Sequence, residues 1–297
     1  MEKLYEKCEL CARKCGVNRL ISCGRCGMNS DVFVSRAAPH FWEEPPISGE
    51  NGSGTIFFDG CSLGCIFCQN RDISRGRNGK KLSVAELAEV MLKLQSKGVH
   101  NINLVTPTHF VPSVTGAIKI AKSKGLCIPI VYNTGSYDTA ETIKRLNGLV
   151  DIYLPDFKYY TSKTARQYSK AEDYPTVAKA AIAEMVEQVG ECQFDDGMMK
   201  KGVIVRILLL PGHVAEAKLI LKYLYSTYGD SIYISLMSQY TPMEGMKSPL
   251  NRKVTSEEYN QLLDYAMKLG VTNAFIQERK AASESFIPPF ASADNDL

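Results

Sequence analysis

Three closely spaced cysteines constrain this chain more than any other feature of its sequence. Cys61, Cys65 and Cys68 have C-x3-C-x2-C spacing and directly follow an apolar run at residues 55–58. Thiols this close together do not readily form separate disulfides, but one loop lets three sulfurs converge on a single metal centre. Zinc fingers and ribbons supply four ligands, usually as two pairs, to complete a tetrahedron. Three ligands in one loop therefore favour a cubane iron–sulfur cluster with one iron left without a protein ligand.

The cysteine loop also carries a family resemblance. Its spacing, with the aromatic Phe67 just before the last cysteine, resembles the signature of the radical S-adenosylmethionine (SAM) superfamily. Residues 52–55 and 67–70 resemble the branch related to pyruvate formate-lyase activating enzymes. The resemblance implies that the three cysteines bind a 4Fe–4S cluster, that SAM chelates the open iron, and that one electron cleaves SAM to a 5′-deoxyadenosyl radical. The alternative is a structural zinc or iron–sulfur site without turnover.

A second cluster of cysteines precedes the first, at positions 8, 11, 15, 23 and 26. Four of these five could complete a tetrahedral zinc site or hold an auxiliary iron–sulfur cluster. The segment resembles the N-terminal module of the activating-enzyme-like branch, and this resemblance favours Cys8, Cys11, Cys15 and Cys26 as ligands. Cys23 is then the spare, although Cys23 and Cys26 could equally form one knuckle.

The composition excludes several classes of protein. Hydrophobic residues make up 45% of the 297 residues and charged residues 23%, which is ordinary for a globular protein. A net charge of +3 is too small to indicate binding to nucleic acid or to a membrane surface. The charged N-terminus lacks the apolar core of a signal peptide, and eight of the ten cysteines lie before residue 70. We therefore expect a cytoplasmic protein that uses its cysteines as metal ligands.

From residue 55 onward, short β-rich runs alternate with amphipathic helices, which is typical of a parallel sheet. The predicted strands are residues 55–58, 102–105, 128–132, 151–154, 203–210 and 232–237. These six units, together with the resemblance, predict an α/β fold: a partial (β/α)6 TIM-type barrel of the radical SAM kind. We expect residues 1–54 to form a Cys-rich N-terminal metal-binding segment and linker. Residues 55–297 are then the radical SAM partial barrel with a C-terminal tail.

Polar residues follow the strands at the edge where a parallel βα fold builds its active site. Thr106 and Thr108 stand where the related activating enzymes have a Gly-Gly-Glu motif that holds the SAM amino group, so either hydroxyl could replace it. Asn133 and Thr134 resemble the family's strand-three loop, which faces SAM. Tyr132 replaces the carboxylate at the start of that loop, which departs from the family pattern.

Charged residues follow or interrupt the later strands. Asp156 and Lys158 match the family's Asp-x-Lys after strand four, and could organise the methionine end of SAM and the substrate backbone; a surface salt bridge is the alternative. Arg206 lies within an apolar run, where a buried charge needs a partner. That partner is either the carboxylate or ribose of SAM, or an acidic side chain of the protein.

The resemblance implies a radical SAM oxidoreductase, similar to pyruvate formate-lyase activating enzymes, that abstracts hydrogen from a glycine of another protein. Expected partners are a one-electron donor such as flavodoxin or ferredoxin, and a glycyl radical enzyme or other protein substrate. Radical modification of another peptide or of a small molecule is an alternative. A different class of function is a non-catalytic iron–sulfur or zinc protein that transfers electrons or docks a partner.

Overall fold

A computed structural model describes residues 2–76, 78–277 and 295–297 of the chain. Residues 278–294, which make up much of the predicted C-terminal tail, lie outside the described residues. The strands are β1 (Val32–His40), β2 (Ser53–Phe58), β3 (Lys80–Leu82), β4 (Ile102–Val105), β5 (Ile130–Thr134), β6 (Ile152–Pro155), β7 (Gln193–Asp195), β8 (Met198–Leu208), β9 (Tyr233–Met237) and β10 (Ala274–Ile276).

The helices lie mainly between these strands. They are α1 (Lys3–Glu6), α2 (Pro45–Ser48), α3 (Arg71–Ser74), α4 (Val84–Ser96), α5 (Val111–Ser123), α6 (Ala140–Lys144), α7 (Ser162–Ser169), α8 (Tyr174–Val189), α9 (Val214–Tyr228) and α10 (Ser256–Leu269). Two of them begin at a capping box. In each, the hydroxyl of Ser83 or Thr255 accepts a hydrogen bond from the backbone amide of the glutamate three residues later. Within the described residues, none of the helices combines the length and the apolar character that crossing a membrane requires.

All strands but one lie along a single sheet in the order β10-β9-β8-β6-β5-β4-β2-β1-β3, and β7 pairs with β8 at its side. The six predicted strands correspond to β2, β4, β5, β6, β8 and β9, and each is parallel to the next. The prediction of an α/β fold with a parallel sheet is confirmed. Within the described residues the strand order is open, with β10 as one edge strand and β3 as the other.

The sheet extends beyond the predicted strands at both ends. β1 is antiparallel to β2, with Arg36 opposite Phe57 and His40 opposite Ser53, so the N-terminal segment contributes a strand to the same sheet. β10 adds a parallel strand beside β9. The short run at residues 274–276 gave no sequence signal of its own, because three residues are too few to show a period.

The central strands are buried on both faces, as is usual for a parallel sheet that helices cover. Every residue of β2, β4, β5 and β6 is buried. Part of this covering comes from α2, whose Ile47 packs against Ile152 and Ile204 of the sheet. The carbonyl of Ile47 accepts a hydrogen bond of 2.7 Å from Asn101 Nδ2. The predicted N-terminal segment and linker, residues 1–54, therefore includes a helix that packs onto the sheet.

The N-terminal segment also contacts the cysteine loop that follows β2. Gly60 has φ +81°, and a Cβ atom there would collide with the Met28 side chain and lie 2.8 Å from the carbonyl oxygen of Cys26. Gly64, in the same loop, has φ +64°, but no atom lies within 4 Å of its Cβ position. Gly60 thus serves both a left-handed turn and a close chain contact, whereas Gly64 serves the turn alone.

This difference predicts unequal effects of two alanine substitutions. Gly64→Ala should lower the free energy of unfolding by about 1–2 kcal/mol, the cost of a left-handed non-glycine residue. Gly60→Ala should lower it by a further ~1–3 kcal/mol, because the added methyl group overpacks against residues 26 and 28. Chemical denaturation of the two metal-free, reduced variants measures both values. Equal losses would show that the contact with the N-terminal segment is unimportant.

Candidate functional site

The three cysteines of the loop after β2 lie at the carboxyl end of the parallel sheet. Cys65 is buried, and Cys61 and Cys68 are half-buried. Burial, together with the charges of the other two sulfurs, raises the pKa of Cys61 to about 12. Burial and the neighbouring Cys65 likewise raise the pKa of Cys68. Three thiolates in this loop repel one another unless a cation lies between them, so the donor set suits a metal centre.

Several polar groups stabilise negative charge on these sulfurs. Ser169 Oγ donates a hydrogen bond of 3.1 Å to Cys65 Sγ and lies 2.7 Å from the hydroxyl of Tyr159. The positive charge of Lys158 acts on both Cys65 and Cys68. Hydroxyl donors and an ammonium group around a thiolate favour its charged form. These neighbours fit a 4Fe–4S cluster that is bound by three thiolates.

The loop is fixed at its beginning by hydrogen bonds to Asp59. The buried His109 donates from Nε2 to the backbone carbonyl of Asp59 at 2.7 Å. Burial lowers the pKa of His109 to about 3, so the ring is neutral at physiological pH. The Asp59 carboxylate accepts hydrogen bonds from the hydroxyl of Ser35 and from the amide of Gly79. The loop thus starts from a fixed point between β1, β2 and β3.

Phe67 fixes the other end of the loop. Its ring is buried and packs edge-on against Tyr159, Tyr168 and Tyr240, with centroids 6.0–6.2 Å apart. This arrangement is typical of aromatic clusters in protein cores. The structure therefore places Phe67 among aromatic side chains next to Cys68, where it holds the cysteine loop against the sheet.

The predicted charged residues form one buried ion network. Asp156 accepts from Lys158 Nζ at 2.6 Å and from Arg206 Nε at 2.7 Å. Arg206 Nη1 is also 3.0 Å from Glu43 Oε2. These four side chains are each less than one fifth exposed, so Asp156 and Lys158 do not form a surface salt bridge. For Arg206 the structure shows acidic partners within the protein.

Charge, rather than burial, decides the protonation of Asp156. Burial alone would raise its pKa, but the positive charges of Arg206 and Lys158 outweigh burial and lower it. Glu43 differs, because its burial raises its pKa despite the attraction of Arg206. Asn133 completes the network: its Oδ1 accepts from Arg206 Nη2 at 2.6 Å and its Nδ2 donates to Glu43 at 3.2 Å. The side chain of Asn133 is therefore held between two charged groups.

Thr108 and Thr134 both hydrogen bond to a buried carboxylate that sequence reasoning had missed. Thr134 Oγ1 donates to Asp138 Oδ2 at 2.6 Å, and Thr108 bonds to the same side chain. The hydroxyl of Tyr132 donates to Asp138 Oδ1 at 2.8 Å. Tyr132, which departs from the family pattern, thus directs its hydroxyl to the carboxylate of Asp138.

Thr106 and the loop after β5 have unusual backbone conformations. Thr106 has φ +58°, which is strained for a β-branched residue and often marks a functional position. Ser136 has φ +59°, and its buried Oγ has no hydrogen-bond partner among the described residues. A Cβ atom on Gly135 would lie 3.5 Å from both Leu63 Cδ2 and Lys158 Cε. The loop after β5 thus lies between the cysteine loop and Lys158.

Three polar residues of the site were not singled out from the sequence. They are Glu43, Asp138 and Ser169. Glu43 gave a weak signal, since an acidic pair in a proline-rich linker is unusual, but only the packing of α2 brings it to Arg206. Ser169 ends α7, far from the cysteines in sequence, and no local pattern indicates its contact with Cys65.

The ion network predicts how stability depends on pH. Asp156→Asn should lower the free energy of unfolding at pH 7 by about 3 kcal/mol, because it removes one charge from a buried network. The folded pKa of Asp156 lies below its unfolded value of about 3.9. Its stabilisation is therefore fully present above about pH 5 and is lost as the pH falls through the folded pKa.

Chemical denaturation at pH values between about 3 and 7 tests this dependence, and the variant should lose part of the acid slope of the wild type. Glu89→Gln is the matched control, because Glu89 pairs with Lys124 where both side chains are more than half exposed. This control should leave stability almost unchanged. Similar losses in the two variants would contradict a stabilising role for the buried network.

Comparison with known proteins places this site in a family. A model of the radical SAM superfamily matches residues 55–224, more than half of the chain. An uncharacterised protein of Methanocaldococcus jannaschii is 28% identical over 278 residues, which cover 90% of this chain and 76% of that protein.

Two solved structures resemble the fold. Streptococcus suis SuiB bound to S-adenosylmethionine is 14% identical, with a TM-score of 0.50 over 73% of this chain and 48% of SuiB. The protein anSMEcpe with bound AdoMet is 13% identical, with a TM-score of 0.50 over 73% of this chain and 61% of that protein. The chain thus spans about half to three fifths of these two structures, and the likeness shows the fold alone. The family match over residues 55–224 shows that the chain belongs to the radical SAM superfamily, which implies a 4Fe–4S cluster and SAM.

Proposed function

We propose that this chain cleaves SAM reductively at a 4Fe–4S cluster held by Cys61, Cys65 and Cys68, and abstracts hydrogen from a glycine of a partner protein. The observation that carries the first step is the convergence of three thiols in one loop at the carboxyl end of a parallel sheet. When bound, the cluster supplies one electron to break a sulfonium bond of SAM. Because each cleavage consumes an electron, the chain needs a donor protein such as flavodoxin or ferredoxin.

The chain's own residues hold the reacting groups in place. Ser169 and Lys158 stabilise charge on the sulfurs and orient them. The ammonium of Lys158 is fixed by Asp156, so it stays beside the cysteine loop instead of extending into solvent. Arg206 in turn holds Asp156 through Nε. These contacts fix the position of Lys158, which is the residue we assign to the methionine end of SAM or to the substrate backbone.

The SAM amino group needs hydrogen-bond acceptors, and the threonines can supply them. Thr134 Oγ1 donates its only hydrogen to Asp138 and accepts from the Ser136 amide at 3.2 Å, which leaves one lone pair to accept a further hydrogen bond. Thr108 bonds to the same carboxylate. Thr106 lies at the end of β4 in a strained conformation beside the Asn133 backbone. We propose that Thr106 or Thr108 accepts a hydrogen bond from the ammonium of SAM. Asn133, Thr134 and Arg206 then surround the bound SAM as cofactor-binding residues.

Hydrogen abstraction from glycine is the more specific part of the proposal. It is supported by the Asp156-x-Lys158 motif and by the residues around Cys68, which resemble those of the activating enzymes. A glycine Cα is a suitable target because glycine has no side chain, so the backbone of a partner can approach closely. We propose residues 1–54 as a metal-binding segment and linker, and residues 55–297 as the part that carries this chemistry.

The first step predicts a specific dependence on one thiol. Cys68→Ser should reduce the formation of 5′-deoxyadenosine to background, because the cluster loses one of its three protein ligands. Cys127→Ser is the matched control, because this thiol is exposed, follows helix α5 in the sequence and belongs to neither cysteine cluster. Both variants are reconstituted without oxygen, reduced with dithionite and supplied with SAM. Substantial product from Cys68→Ser would contradict the assignment of the cluster.

The second step predicts transfer of a labelled hydrogen. A glycyl-radical-loop peptide with two deuterium atoms on its glycine Cα should pass deuterium to 5′-deoxyadenosine, which mass spectrometry detects. The same peptide with deuterated alanine at that position is the control and should pass none. Cleavage of SAM without deuterium transfer from glycine would retain the radical SAM chemistry but exclude the glycine substrate.

A further inference from the structure

Arg19 is a fully buried cation in the N-terminal segment. Its exposed fraction is 0%, and its guanidinium donates hydrogen bonds to the backbone carbonyls of Met28, Asn29 and His109. No carboxylate lies within ion-pair distance of Arg19 in the described part of the chain. Neutral carbonyls satisfy its N–H groups but do not cancel its charge, which is costly to bury alone.

The cations of the ion network, Arg206 and Lys158, differ from Arg19 because they have carboxylate partners. Arg206 pairs with Asp156 and Glu43, and Lys158 pairs with Asp156. In both cases carboxylates close to the cation balance its charge. Arg19 is fully buried, whereas the Arg206 side chain is 12% exposed, so the need for an anionic group beside Arg19 is at least as great.

The groups closest to Arg19 that can become anionic are thiols. Arg19 Nη1 lies 3.7 Å from Cys8 Sγ. A Cβ atom on Gly24 would lie 3.3 Å from Arg19 Cδ and 3.5 Å from both Cys15 Sγ and Cys26 Sγ. The aliphatic part of the arginine therefore passes beside two further sulfurs, and its guanidinium reaches a third.

The same thiols are mutually close and accept backbone hydrogen bonds. Cys15 Sγ lies 3.9 Å from the backbone oxygen of Cys8, and the Cβ position of Gly24 lies between Cys15 Sγ and Cys26 Sγ, 3.5 Å from each. The sulfurs of Cys11, Cys15 and Cys26 each bond to the amide two residues further along the chain. Amide donors at this spacing favour a thiolate and orient it, as second-shell groups do around metal ligands.

We propose that Cys8, Cys11, Cys15 and Cys26 bind one tetrathiolate metal centre, and that Arg19 is the buried cation that offsets part of its negative charge. Four thiolates around a zinc ion, or around an oxidised 4Fe–4S cluster, leave a net negative charge in either case. Binding releases one proton from each thiol to solvent, four in all. Cys23 is exposed and stays outside the ligand set.

The four sulfurs must move slightly to close on a metal. Among the described residues, no set of three or more Cys, His, Asp or Glu side chains already surrounds a metal position. This is equally true of Cys61, Cys65 and Cys68, to which we assign the first cluster. Both sites thus have ligands on neighbouring backbone segments and complete their geometry when the metal binds.

The proposed centre also contacts the loop that holds the first cluster. The backbone oxygen of Cys26 lies against Gly60, one residue before Cys61. Arg13, between two of the proposed ligands, donates from Nε to the carbonyl of Ser62 at 3.0 Å and from Nη2 to that of Leu63 at 3.1 Å. A metal bound to this segment therefore stiffens the chain on which the cluster loop rests.

Metal analysis tests the proposal independently of SAM cleavage. The background protein carries alanine at Cys61, Cys65 and Cys68, so it cannot bind the first cluster. Purified without oxygen, it should contain either about one zinc ion per chain or about four iron and four sulfide ions per chain. Either result supports the tetrathiolate centre and identifies its metal. A protein that folds but binds neither in stoichiometric amount would overturn it.

Single substitutions in that background test the ligand set and the role of Arg19. Cys15→Ser should lose the metal, while the matched control Cys23→Ser should retain it. Arg19→Gln should weaken metal retention against a chelator by about 10–100-fold, because it removes the balancing charge, and Arg19→Lys should restore part of the affinity. Retention in Cys15→Ser with loss in Cys23→Ser would refute the proposed ligands. An unchanged affinity in Arg19→Gln would refute the charge balance.

A spectroscopic readout covers the case in which the variants do not fold. If the metal is zinc, its replacement by Co2+ in the background protein should give the strong thiolate-to-cobalt bands of a four-thiolate site. If it is a cluster, the same protein should show broad iron–sulfur absorbance that bleaches on reduction. Cobalt bands that correspond to fewer than four thiolate ligands would contradict the proposed centre. The absence of both the cobalt bands and the iron–sulfur absorbance would contradict it as well.

Discussion

The arrangement of the predicted active site depends on how this fold neutralises buried charge. Asp156 is held ionised by Arg206 and Lys158, and Arg206 is held in turn by Glu43 and Asn133. These residues come from β5, β6, β8 and the segment before α2, so one network connects four parts of the chain. Lys158 is the member nearest the cysteine loop, and its position follows from the pairing of Asp156. Removing a carboxylate from such a network therefore moves more than one group.

Backbone geometry provides a second constraint on the cysteine loop. Gly60 lets the N-terminal segment cross directly over the start of the loop, and the Asp59 carbonyl is held by a neutral His109. At the far end Phe67 is packed among three tyrosines. The loop is thus fixed at both ends, while the three sulfurs between them remain adjustable. Such a loop can accept a cluster without rearrangement of the surrounding sheet.

Local sequence predicted the elements of the fold well, because parallel strands and capped helices carry short-range signals. The six parallel strands were predicted correctly, and the helices that begin at Ser83 and Thr255 carry capping boxes that can be read from the sequence. Contacts that join distant segments were not predicted. Glu43 reaches Arg206 across 163 residues and Ser169 reaches Cys65 across 104 residues, and no periodicity encodes either contact. The three cysteines of the loop were identifiable because their spacing itself carries the chemistry.

At each of the two groups of cysteines, a buried cation lies beside thiols that can become negatively charged. The two cations differ in whether they have a carboxylate partner. At the first, the nearby cation Lys158 already has a carboxylate partner, so part of its charge is committed to Asp156 before any cluster binds. At the second, carbonyls, the Cys8 thiol and the rings of Tyr5 and Phe110 at 4.9 and 5.6 Å surround Arg19, and no carboxylate of the described residues pairs with it. A cation without a carboxylate interacts more strongly with an added anionic centre. We therefore expect the proposed N-terminal centre to gain more from metal binding, as a centre that stabilises the fold does, whereas the charge balance at the cysteine loop leaves its proposed cluster freer to change charge.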